Sequence, residues 1–222
     1  GNIVHDEIGP STTTNFSVDV SYTIDFENES RLAFGIKAGG ELLNIDYTKL
    51  NHYNPSDVSF NNNINNQFSP NIGAGLFYYN ANSYLGLSVP MLLQTKRYDE
   101  FAYSDANRRQ HFYLMGGKVF DLAYNLKFKP AFVAKMVAGA PLQLDLTGNF
   151  LINEKFTVGL AYRWSAALSA LVGFKVNDRV SIGYGYDRET TRLSNFNSGS
   201  HEIFLQFDLF KITQQVETPR FF

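Results

Sequence analysis

Between Pro141 and Asp187 the sequence alternates, residue by residue, between large apolar and small or polar side chains through four successive segments. Successive side chains of a strand face opposite sides. Leu142, Leu144, Leu146, Gly148 and Phe150 therefore share one face, and Gln143, Asp145, Thr147 and Asn149 the other. The second segment sets Phe156, Val158, Leu160, Tyr162 and Trp164 against Thr157, Gly159, Ala161 and Arg163, after the polar connector Asn153-Glu154-Lys155. The third (Leu168 to Val176) joins the fourth (Val180 to Tyr186) through Asn177-Asp178. Alternating segments separated by short polar connectors form hairpins, so this region is an antiparallel meander.

The pattern extends along the chain. Phe16 to Phe26 alternates without a break, and strands are expected at 31–47, 71–79, 84–91, 110–120, 124–135 and 201–210. Asn2 to His5 is read as a strand stub without a partner, followed by an irregular polar loop over 6–15. Gly39-Gly40 is read as a bulge, Thr48 to Pro70 and Leu92 to Arg109 as long exposed loops, and Asp121 as a short turn. Short turns follow the strands ending near Phe26, Tyr79, Phe120, Leu151 and Val176, whereas every connection at the other end is expected to be longer except the small one near Trp164 to Ala167. That asymmetry is the one shown by outer-membrane barrels.

Alternation alone fits a soluble sandwich or a lipocalin-like barrel as well as a membrane barrel. Three features favour the membrane. The strands have the length of about 9 to 11 residues that a tilted spanning strand needs. The polar faces carry Gly, Ser, Thr and Asn where a soluble barrel would show Lys and Glu. Aromatics fall near strand ends, and Phe150, Phe156, Trp164, Tyr184, Tyr186 and Phe210 are candidates for the interfacial girdles. With 20 Phe and 13 Tyr in 222 residues, the chain has more rings than a soluble core of this size needs. No run approaches the ~20 apolar residues of a membrane helix. The fold expected is all-β, an antiparallel transmembrane barrel over residues 1–210 with a tail over 211–222.

Function classes fall away quickly. A net charge of −2 argues against nucleic acid, which requires a concentrated basic patch, and none is seen in the sequence. Cysteine is absent, which removes disulfides, thiolate metal sites and thiol nucleophiles. The four histidines, His5, His52, His111 and His201, show no metal-ligand spacing. There is no nucleophile elbow, and Gly183-Tyr184-Gly185 lies inside a strand pattern, away from any phosphate loop. No catalytic residue, cofactor or metal is expected. The chain opens without a basic and apolar leader, which reads as a cytosolic protein or as a processed or truncated product.

Three stretches carry a resemblance: Asp6-Glu7-Ile8-Gly9-Pro10 after a strand, Leu32-Ala33-Phe34-Gly35-Ile36-Lys37-Ala38-Gly39 with Lys49-Leu50-Asn51 beyond it, and the closing Pro219-Arg220-Phe221-Phe222. Together they resemble the PorP/SprF family of Bacteroidetes outer-membrane proteins, over the whole chain. The resemblance implies a part in type IX secretion and gliding motility, protein binding without catalysis, and about fourteen strands in the intact barrel, of which 11 or 12 lie in this chain.

The implied partners are outer-membrane lipid, a secreted surface adhesin or its C-terminal export domain, and periplasmic secretion components. Candidate external binding residues are Tyr53, Asn54, Arg97, Tyr98, Arg108 and Arg192. The tail Pro219, Arg220, Phe221 and Phe222 is a candidate for periplasmic docking or barrel assembly. A solute channel is the rival reading, with Arg163, Lys175 and Lys118 setting pore charge and Phe77, Tyr79, Leu171 and Phe204 plugging the lumen in part. A lipid enzyme is a third reading.

Overall fold

The computed structural model describes residues 1–50, 63–93 and 109–209. They form one antiparallel sheet of thirteen strand segments: β1 (Asn2–Ile8), β2 (Ser11–Asp25), β3 (Arg31–Ile45), β4 (Ile64–Tyr79), β5 (Ser83–Val89), β6 (His111–Lys118), β7 (Phe120–Ala123), β8 (Leu126–Val137), β9 (Gln143–Ile152), β10 (Phe156–Arg163), β11 (Ala167–Asn177), β12 (Val180–Glu189) and β13 (Ser200–Phe207). They pair in chain order from β1 at one edge to β13 at the other, with β6 and β7 both pairing β8. β1 and β13 do not pair with each other.

β6 and β7 are two pieces of one strand. Gly117 lies opposite Ala131 and Phe120 opposite Phe128, in the same register on either side of a gap. The gap faces Pro130, which has no N–H to give to the ladder. Val119 turns its own N–H to the Asn82 carbonyl, 2.7 Å away. With β6 and β7 counted as one, the wall has twelve strands, of which β1, opposite Ser11 to Ser17, pairs only with the long-loop end of β2.

The two faces divide as the alternation requires. On β2 and β3, Phe16, Val18, Val20, Tyr22, Leu32, Phe34 and Ile36 lie on one side, and Ser17, Asp19, Ser21, Gly35 and Lys37 on the other. The apolar side is bare: Val20 is 70% exposed, Leu160 61% and Ile203 79%. Among the described residues only Leu43, Ile45 and Ala167 are buried hydrophobics. The accessible surface is 16432 Å², whereas a compact soluble protein of 25.1 kDa has roughly 10,000 Å². A single layer that keeps its apolar side uncovered is stable in lipid, where backbone groups must be satisfied within the sheet. This is the wall of an antiparallel transmembrane β-barrel. From Phe16 to Phe26 the apolar face runs for ten steps of about 3.3 Å, which at a tilt near 40° gives a band roughly 25 Å tall.

Several sequence expectations are corrected here. Residues 6–15 are not a loop: β1 pairs with β2 from Asn2↔Ser17 to Ile8↔Ser11, and the stub has a partner after all. Only Gly9 and Pro10 turn the chain, with Gly9 at φ 58°, a left-handed conformation that glycine adopts without steric cost. Gly39 and Gly40 keep regular pairing on both sides; the bulge lies between Leu43 and Ile45. It is absorbed by Asn66 at φ 51°, whose N–H meets the Asn44 side chain at 2.7 Å. The strand read from Asn71 begins at Ile64, because backbone pairing opposite Gly40 to Ile45 overrides the local Asn and Pro content. At Asp121 there is strand, with the turn at Tyr124-Asn125.

Candidate interaction surfaces

The two ends of the wall differ. Short turns at 26–30, 80–82, 124–125, 153–155 and 178–179 mark one end. The other holds long connections at 46–63, 90–110 and 190–199, but also tight ones at 9–10, 138–142 and 164–166. The rhythm expected from sequence therefore holds throughout the short-turn end and at three of the six connections of the long-loop end.

At the long-loop end β2, β3 and β4 continue beyond the apolar band. Five residues from Ser11 to Phe16 add roughly 15 Å along the strand. There Glu41, Leu43, Ile45 and Ser69 are buried on the polar face. The base of the 46–63 connection is pinned. The Asp46 carboxylate accepts from the Thr48 N–H at 3.0 Å, the Thr48 hydroxyl at 2.6 Å and the Asn63 amide at 3.1 Å. Asn63 in turn accepts from the Tyr47 N–H at 2.9 Å, and Lys49 pairs with Glu7 at 3.5 Å. These bonds, the Thr48 hydroxyl first, hold the Asp46 carboxyl below its ordinary pKa. Two other connections are tied in the same way: Arg109 donates to the Ala138 carbonyl at 2.6 Å, and Gln110 to the Leu92 carbonyl at 2.7 Å. Sequence reasoning missed Asp46, Asn63 and Arg109. A Ser/Thr/Asp/Asn-type cap two residues before Thr48 was the available signal for the first.

Of the residues singled out for external binding, Arg192 begins a short 3-10 helix, Arg192–Asn195, and is exposed. Tyr53, Asn54, Arg97, Tyr98 and Arg108 lie outside the described residues, as do Phe210, Pro219, Arg220, Phe221 and Phe222.

The girdle candidates separate by chemistry. Phe150 and Phe156 stand at the short-turn end, in a run with Phe128 and Phe174: Phe128 stacks on Phe150 with centroids 4.7 Å apart, and Phe156 lies opposite Phe174. Trp164 and Tyr186 stand toward the long-loop end, with Tyr184 one row deeper.

Small residues and two ion pairs lie on the polar face. Lys37 faces Asp19 at 3.6 Å and Arg163 faces Asp145 at 2.9 Å. The rings expected to plug the lumen are accommodated in the wall. Phe204 lies on Gly183 and Phe77 against Gly86, so closely that a Cβ on either glycine would crowd the ring. Among the described residues no group of His, Asp and Glu gathers to hold a metal.

A family model described as type IX secretion system membrane protein PorP/SprF matches residues 1–207. The match ends at the last residue of β13 and so takes in every strand. No curated protein matches the chain.

Proposed function

The chain belongs to the PorP/SprF family of type IX secretion system membrane proteins, and from that premise we propose that it is a non-enzymatic outer-membrane barrel that binds a secreted surface adhesin and anchors it or helps its export. The family match across all the strands carries this reading. The long-loop end is the external one, in keeping with the habit of bacterial barrels, and the pinned bases at Asp46 and Arg109 set the loops that meet the exported protein. The short-turn end then faces the periplasm and the secretion machinery.

Native purification of the full-length protein in mild detergent tests the reading. A surface protein or a secretion component should co-purify in stoichiometric amount. A barrel that comes out alone across several mild detergents would overturn it.

The close fit of Phe204 on Gly183 and of Phe77 against Gly86 favours a second reading, a solute channel, since both rings then lie along the wall. Stable selective currents in planar bilayers would support it, and their absence would dismiss it.

A further inference from the structure

Lipid-facing positions on β12 run Val180, Ile182, Tyr184 and Tyr186, and the next in that series is Arg188, opposite Leu168 of β11. Leu168 lies opposite Tyr162 of β10, so Arg188 stands on the outer face at the long-loop edge of the apolar band. It is exposed and has no acidic partner among the described residues. Lys37 and Arg163, on the polar face, each have one. At the edge of the band a guanidinium can reach headgroup depth at little cost, and the anions available to it there are lipid phosphates.

The neighbours of Arg188 are arranged to help. His201 of β13 is opposite Tyr186 and therefore diagonal to Arg188, within reach of long side chains. The Tyr184 hydroxyl is 2.6 Å from His201 Nδ1, the Tyr186 and His201 rings are 4.9 Å apart, and the Tyr186 hydroxyl donates to the Ser198 carbonyl at 2.9 Å. The imidazole is thus held on two sides. With Nδ1 engaged by the Tyr184 hydroxyl, the other ring nitrogen is the one left to meet a ligand. Trp164, 62% exposed, and Tyr162 complete the rim, and such rings mark the depth of lipid headgroups.

We propose that Arg188 and His201 form a binding site for the phosphate of an anionic lipid headgroup in the outer leaflet. A guanidinium fork matches phosphate oxygens bidentately, and its stem lies along apolar surface while its head reaches the interface. The inference rests on the orientation of the wall and is independent of which protein the barrel binds.

Native mass spectrometry of the full-length protein in detergent, titrated with phosphorylated lipid A and with its dephosphorylated form, tests the site. Wild type should retain the phosphorylated lipid about tenfold more tightly than the dephosphorylated one, the difference expected of a charge-assisted hydrogen bond. Arg188→Gln should remove that preference, whereas Arg192→Gln, which deletes the same charge from the adjoining connection, should keep it. The proposal is overturned if wild type binds both lipids alike, if Arg188→Gln keeps the preference, or if Arg192→Gln loses it equally. Competition by millimolar inorganic phosphate as effective as by the lipid would also overturn it. The wild-type comparison stands even if a variant fails to fold.

Discussion

Phe204 and Gly183 face each other across the β12–β13 ladder, and the Phe204 ring occupies the space a side chain on Gly183 would fill. Tyr84 lies over Gly117 in the same way, and Phe132 over Gly116. The glycines and the excess of aromatics are two halves of one device: a ring laid on a glycine covers its backbone and fixes strand register. Gly183→Leu should therefore expel the Phe204 ring and destabilise the barrel by about 1–3 kcal/mol, read by denaturant unfolding in detergent. Combined with Phe204→Ala, the second substitution should add much less than it costs alone, because the two residues share one contact.

The two faces should respond oppositely to charge. Val172 lies on the apolar face between Val158 and Tyr184, and Ser169 on the polar face between Ala161 and Asp187. Val172→Arg should cost about 2–4 kcal/mol near the bilayer midplane. Ser169→Lys should stay within roughly 0.5 kcal/mol of wild type. Unfolding of the lipid-reconstituted protein measures both.

Asp46 gives the long-loop end a pH dependence. Its folded pKa is lowered by the bonds from Thr48, so the ionised form is favoured in the folded loop base. That contribution is fully present above the ordinary Asp value, near 3.9, and is lost as pH falls through the lower folded value. Hydrogen exchange at the Thr48 amide should be protected equally at neutral and mildly acidic pH and lose protection in stronger acid. In Asp46→Ala the protection should be lower throughout and lack that titration.

Much of the wall was legible in the sequence because each strand has one face in lipid, and a period of two then shows directly, as from Phe156 to Trp164. Reading failed where pairing outranks local composition. Thr12 to Asn15 and Ile64 to Pro70 look like loop, yet they pair with β3 beyond the apolar band, where no lipid imposes alternation. The break at Val119 is invisible locally, since its cause, Pro130, lies on the neighbouring strand. The pinned loop bases were missed because Asp46 and Asn63 are distant in sequence and meet only after the β3–β4 ladder forms.

Photo-crosslinking in living cells asks whether the long-loop end holds an exported surface protein. A crosslinking residue is placed at Thr48 or Arg192 of the long-loop end, or at Arg179 of the short-turn end, and the products are identified by mass spectrometry. Crosslinks from Thr48 and Arg192 to one secreted surface protein, with Arg179 reaching only periplasmic proteins, are the result predicted. The surface protein captured from Arg179 alone, or no protein captured at the long-loop end, would contradict it.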